Sequence, residues 1–378
     1  MRPVTDAFTI PRAKLAFLVD SMSAPLCVIV PASSWVAMIL VQMQVSGISE
    51  DQFGVYIATI PFLLYPVLII LSAYVITLCG LSFGPLLRYE TIARETGNLF
   101  GGKPPLMAHH VSTEPQTTDS LYDFIIPCIV FMAVLVMALL YSGHWNVQTA
   151  NIFFALCLAS IITALLMAST FLIQKKISSK KLLMLSYYSW KLMKNSLLVL
   201  LCAWTLSSLL KNDLHAGEYV AHILIKKLSI SFMPCMFFIV ALIVSATTGS
   251  AWGTIAVIMP LAIPVVYHLG FLVYPTLGAL ISGAVAGGHV SPITDSTVMA
   301  STSTECYHLD HVYSQLIYSI PAVMGSVGAF ICAGLLYQNY YVASAASVCV
   351  GVVLTIIFLY VGNIYGNRFT FRLRFPRR

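Results

Sequence analysis

"GGHVSPITDSTVMASTSTECYHLDHV", residues 287–312, follows "LVYPTLGALISGAVA", which is nearly pure hydrocarbon. Eight of the fourteen residues from Ser291 to Thr304 are Ser or Thr. A proline and an aspartate lie among them. Backbone that leaves the helix at membrane depth is tolerated only where protein or a water-filled cavity surrounds it. The stretch therefore decides whether this region is a plain span or a broken one that lines a site.

The surrounding chain settles the solvent. Of 378 residues, 59% are hydrophobic and 9% charged, against about 25% charged in soluble domains. Several apolar runs reach the roughly 20 residues needed to cross hydrocarbon. There is no alternation at period two and no regular turn spacing, which argues against a β-barrel. The expected class is an all-α polytopic membrane protein. The nine cysteines are scattered without paired spacing and read as small membrane hydrophobes. The net charge of +6 serves orientation in the bilayer rather than nucleic-acid binding. The first apolar run is too long for a cleavable signal and contains Asp20.

The apolar segments run Lys14–Val41, Phe53–Gly84, Tyr122–Ser142, Asn151–Ile173, Asn195–Leu210, Ser229–Leu269, Leu272–His289 with the quoted stretch, His311–Tyr337 and Val342–Gly362. Residues 85–121 read as a polar loop, with "GGKPP" and "STEPQTTDS" as turn or disordered chemistry. "QKKISSKKLLMLSYYSWKLMK", residues 174–194, is a basic linker that signals orientation and lipid headgroups. Trp145, Trp190 and many tyrosines fall near span ends, as belt residues do. Seventeen of the 20 Lys and Arg fall on one face if 229–269 crosses once and 272–305 enters and returns. The positive-inside bias thus predicts a re-entrant hairpin near 272–305, with both termini cytoplasmic.

Hydroxyls and freed carbonyls suit hard cations, which prefer oxygen. A carboxylate at that depth is costly and is functional by default. Asp295, with Ser291, Thr294, Ser296 and Thr297, is thus a candidate site for Na⁺ or a proton. The alternative is helix–helix glue, with the hydroxyls satisfying carbonyls freed by Pro292. A second break is expected in "VSATTGSAWGTIAVIMPLAIP", residues 244–264. Gly249 and Gly253 release the helix there, and Thr247, Thr248, Ser250 and Thr254 supply oxygens. Its alternative is a small-residue packing face. A third is expected in "LAFLVDSMSAPLCVIVPASSW", residues 15–35, where Asp20, Ser21 and Ser23 precede Pro25. Its alternative is a hydrated Asp20 at the interface. His289 is a pH-sensing candidate because imidazole titrates near neutrality. His308 and His311 are expected at the cytoplasmic mouth with Asp310. No zinc spacing, P-loop, G-x-S-x-G or nucleophile–base pair is present, so neither a cofactor nor enzyme chemistry is expected.

These three stretches resemble the NhaC-type sodium/proton antiporters of the ion-transporter superfamily. "GGHVSPITDSTVMASTSTECYHLDHVYSQLIYS" is similar to that family's G-D-H-x-S-P-I-S-D-T-T…H-x-D-H-V-x-T-Q-L. "TTGSAWGTIAVIMPLA" is similar to its T-G-T-S-W-G-T…P. "MRPVTDAFTIPRAKLAFLVDSMSAPLCVIVPASSW" resembles its opening M-R-P-x-T-D…S-R-A-K-L-A-Y-x-x-D-S-x-A-A-P-V-C…P-I-S-S-W. The resemblance implies two inverted repeats whose discontinuous helices meet at the midplane. It also implies exchange of Na⁺, or of an organic anion or amino acid in an alternative reading, against protons. Asp295, Ser291, Thr294, Ser296 and Thr297 would line the second-half site, facing Thr248, Gly249, Ser250 and Thr254. Asp20, Ser21 and Ser23 would be the first-half elements.

Gly288 stands where the family carries Asp, and Met1 aligns inside the family pattern. The expectation is therefore an incomplete first repeat. Residues 1–84 would be its remainder, 85–121 a cytoplasmic loop and 122–378 the helices of the second repeat. The expected partners are the bilayer, Na⁺ and protons, with a homodimer or a separately encoded first half as options. A non-transporting remnant or subunit is the third reading. The expected location is a bacterial inner membrane.

Overall fold

The computed structural model describes residues 2–31, 33–48, 51–105, 122–143, 152–187 and 230–370, with single positions between 190 and 209. The expected span Asn195–Leu210, the "STEPQTTDS" stretch, Trp145 and the end of the basic tail lie outside the described residues. Among the described residues there is no strand. Among the described residues, four helices are long and apolar enough to cross a membrane, and up to seven spans result if each bent pair is one span.

The helices are α1 (Arg2–Ala7), α2 (Arg12–Ile29), α3 (Ser34–Val45), α4 (Gln52–Thr59), α5 (Leu64–Leu78), α6 (Gly84–Thr96), α7 (Tyr122–Ser142) and α8 (Ile152–Ile173). After the undescribed segment come α9 (Met233–Thr248), α10 (Ala251–His268), α11 (Val273–Val290), α12 (Asp295–Ser303), α13 (His308–Leu335) and α14 (Tyr340–Thr370). Lipid tails are as apolar as leucine, so helices in a bilayer associate by close packing rather than by apolar burial. Glycines mark the closest approaches. A Cβ on Gly283 would lie 2.3 Å from Phe238 O, and one on Gly287 would lie 2.3 Å from Leu242 O. Both partners advance by one helical turn together, so α9 and α11 run parallel.

Parallel neighbours need a return path, and α10 supplies it. Gly288 of α11 lies beside both Ser245 of α9 and Ala251 of α10. The chain therefore reverses at Gly249–Ser250. Gly249 adopts φ +67°, the left-handed conformation that favours glycine at a helix end. Ser250 caps the next helix, its Oγ accepting from Gly253 N at 3.1 Å. The expected second break is thus a hairpin tip. Gly253 lies inside α10, with no release there.

The quoted stretch behaves differently. α11 and α12 meet at 45° around residues 291–294, the geometry of a broken span or a re-entrant loop. The reversal at Gly249–Ser250 falls inside 229–269, where the sequence predicts a single crossing. In the first half, α2 continues through Pro25. Its break comes later, at residues 30–33, where α2 and α3 meet at 49°. These breaks converge. Ile293 packs on Gly249, and the Trp35 ring at the start of α3 lies 4.3 Å from that of Trp252 at the start of α10.

Residues 84–96 form a helix at the start of the stretch that reads as a loop. Pro85 starts α6, and Tyr318 of α13 ties its N-cap residue, accepting from Phe83 N at 2.7 Å and donating to Phe83 O at 2.9 Å. Helices α7 and α8 pack chiefly on each other, around Leu135, Ala138, Ala155 and Ala159.

Candidate functional site: a carboxylate enclosed between broken helices

Asp20 lies in the interior of α2 and is completely buried. It faces α11, α12 and α13. Its Oδ2 is 3.3 Å from His311 Nε2, 3.4 Å from Thr297 Oγ1 and 3.9 Å from His289 Nε2. Ser296 also reaches it through its side chain. A carboxylate accepts only, so His311 Nε2 and the Thr297 hydroxyl donate. Its other oxygen, Oδ1, is buried without a partner.

His289 is held from both sides. Tyr65 Oη of α5 is 2.8 Å from Nδ1, and Gln315 Nε2 of α13 is 2.6 Å from Nε2. The amide nitrogen can only donate, so Nε2 carries a lone pair and Nδ1–H donates to Tyr65. Turning the Gln315 amide over would present Oε1 to a protonated Nε2. The pair thus accommodates His289 with or without its second proton. His311 and Gln315 are four residues apart on α13, which places them on one helix face.

Five buried oxygens at or near this cluster have no hydrogen-bond partner: Asp20 Oδ1, Ser21 Oγ, Ser291 Oγ, Thr294 Oγ1 and Gln315 Oε1. Buried polar groups are ordinarily paired. Pro25 adds to them by leaving the Ser21 carbonyl without its usual helical donor. Ser23 Oγ donates to Asp20 O at 2.9 Å. Thr248 Oγ1 and Thr254 Oγ1 donate to Val244 O and Ser250 O, both at 2.8 Å. The Thr248 and Thr254 hydroxyls brace the hairpin tip, and Thr248 Oγ1 also accepts from Ser250 N at 3.3 Å. Among the described residues, no group of three or more His, Cys, Asp or Glu is arranged to hold a metal ion.

Two expectations change. Asp295 is exposed at the first position of α12, where its Oδ1 accepts from Ser296 N at 2.9 Å. A negative charge is favourable at a helix N-terminus, so the position needs no enclosing shell. His311 does not line a mouth: it is buried against Asp20. His308 Nε2 donates to Pro292 O at 2.7 Å and pins the break. The sequence reading missed His311, Gln315 and Tyr65 as site residues. The His311–Gln315 spacing was a usable signal; Tyr65, in an unbroken apolar run, offered none.

A buried carboxylate between broken helices, with unpaired oxygens around it, is the architecture of an ion-coupled secondary transporter. The Na⁺/H⁺ antiporter family model matches residues 26–335. The chain belongs to that family and is an integral membrane protein. An uncharacterized protein of Haemophilus influenzae is 26% identical over 375 residues, covering 92% of this chain and 69% of the relative. The malate-2H⁺/Na⁺-lactate antiporter of Bacillus subtilis is 35% identical over 108 residues, covering 28% of this chain and 23% of the relative. An uncharacterized Na⁺/H⁺ antiporter of H. influenzae is 29% identical over 106 residues, with the same shares. The chain thus spans about a quarter of the two antiporters. No solved structure matches.

Proposed function

We propose that the protein exchanges Na⁺ against protons in a bacterial inner membrane, with Asp20 as the group for which the two compete. The carrying observation is the enclosure of Asp20 among His289, His311 and Thr297, with its Oδ1 unpartnered. A carboxylate out of water needs a compensating charge. A proton or a hard cation supplies it, and each excludes the other. Exchange then requires only that the occupied site face the two sides in turn. Ser291 and Thr294 supply further oxygens in this reading, and Ser21 contributes its hydroxyl or its released carbonyl. The ends that carry Arg12, Lys14, Arg94 and Lys103 face the cytoplasm, as the positive-inside bias requires. The breaks in α2–α3 and α11–α12 are the paired discontinuous helices of an inverted-repeat fold.

Full-length protein in proteoliposomes tests this. A sodium gradient should drive proton movement in the wild type. Asp20→Asn should abolish it while the protein still inserts. Undiminished exchange in Asp20→Asn would remove Asp20 from the mechanism. A second reading, exchange of a small organic carboxylate, is favoured by the name of the B. subtilis relative and by two imidazoles that could pair with such an anion. It requires proton movement to depend on the carboxylate as well as on sodium.

A further inference from the structure

Residues 97–105 fold into a strap over the end of the molecule where α2 and α13 begin. Asn98 organises it: Oδ1 accepts from Phe100 N at 2.8 Å and Gly102 N at 3.2 Å, and Nδ2 donates to Lys103 O at 3.1 Å. The strap then grips its neighbours. Leu99 O accepts from Arg12 N at 3.0 Å, and the Arg12 guanidinium lies 5.7 Å from the centre of the Phe100 ring. Pro104 O accepts from Tyr307 Oη at 2.9 Å. Lys103 Nζ donates to both oxygens of Asp310, at 2.8 and 2.7 Å. Beneath lies a small cavity lined by Arg12, Tyr89, Phe100, Cys306, Tyr307 and Asp310.

Asp310 and His311 are consecutive on the first turn of α13. Asp310 faces the strap and His311 faces Asp20. A shift of this turn therefore moves both contacts. The Lys103 side chain is 46% exposed, and an ion pair of this kind is weak. That suits a contact made and broken in each cycle.

We propose that residues 97–105 are the gate on the Lys/Arg-rich face, latched by Lys103–Asp310, and that the first turn of α13 couples the latch to occupancy of Asp20. The coupling rests on the reading of Asp20 as the ion site; the gate does not.

Cys306 is a native reporter. It is 6% exposed beneath the strap. Burial, reinforced by the Asp310 carboxylate, pushes its thiol up to about 12, which keeps the reactive thiolate scarce while the strap is closed. The experiment treats full-length protein in lipid nanodiscs with a polar maleimide and follows the Cys306 peptide by mass spectrometry. Wild type and Lys103→Arg should react slowly. Lys103→Ala and Asp310→Asn should react up to about fivefold faster, the ratio expected when a partly exposed ion pair is lost. Sodium should change the wild-type rate, and Asp20→Asn should erase that response while leaving the Lys103→Ala effect intact. Wild-type rates in both latch variants would overturn the gate. Fast latch variants with a sodium-insensitive wild type would overturn the coupling. A sodium response that survives Asp20→Asn would overturn the site assignment and leave the gate standing.

Discussion

Asp20 and Asp295 both lie in stretches where a greasy chain turns polar, yet their surroundings are opposite. Asp295 has the richer sequence context, with hydroxyls on both sides, and it is exposed at the start of α12. Asp20 has Val19 before it and only two serines nearby, and it is completely enclosed. A helix start accommodates a carboxylate without a partner shell. The interior of a membrane helix does not, so a carboxylate there must face protein groups that compensate it. The polar stretch supplies walls, through Ser296 and Thr297, and the sparser stretch supplies the charge.

The difference between the two carboxylates can be broken experimentally. Loss of the Asp20 charge removes the partner of a buried cation, a change that typically costs more than about 3 kcal/mol, or over a hundredfold in apparent sodium affinity. The proteoliposome assay with Asp20→Asn reads this. His311→Gln comes next. If the Gln amide cannot reach Asp20 from this position, the donor of the His311 contact is lost, and sodium half-saturation should worsen about tenfold, as loss of a hydrogen bond to a carboxylate implies; an unchanged value would mean that the donor is replaced or unneeded. Gly287→Ala probes the wall instead. Its new Cβ would sit 2.3 Å from Leu242 O and 2.6 Å from Ser245 Cβ. Overpacking of this kind costs about 1–3 kcal/mol, so thermal unfolding in detergent should occur at a lower temperature. Unchanged melting would mean that α9 and α11 are not packed as closely as described. Asp295→Asn should have the smallest effect. Exchange should stay within about fivefold of wild type, because only a helix-terminal charge worth about 0.3–1 kcal/mol is lost. A larger loss of exchange would return Asp295 to the site.

The sequence displayed the breaks more clearly than their geometry. Gly249, Ser250 and Pro292 mark real interruptions because glycine and proline act on their own backbone. Pro25 misled, since α2 absorbs it and ends only at Ile29. The reversal at Gly249–Ser250 was invisible to charge counting, which constrains net crossings and not where a segment turns back. For the site, Asp20, Ser296, Thr297 and His289 were all marked as candidates from their residue types and positions. Their meeting on one carboxylate depends on the parallel packing of α9 and α11 and on the run of α13 past them, which no local pattern encodes. His311 was legible as a partner only through its four-residue spacing from Gln315. The strap escaped for a similar reason: "GGKPP" is turn chemistry, but its grip on Arg12, Tyr307 and Asp310 is tertiary.

Equilibrium binding of radioactive sodium to the purified full-length protein, across a range of pH, tests the central claim most directly. Protons and sodium compete for a carboxylate, so binding should rise with pH. Wild type and Asp295→Asn should both bind sodium in this proton-competed manner, and Asp20→Asn should bind none above background. Normal sodium binding by Asp20→Asn, with binding lost in Asp295→Asn, would contradict the account.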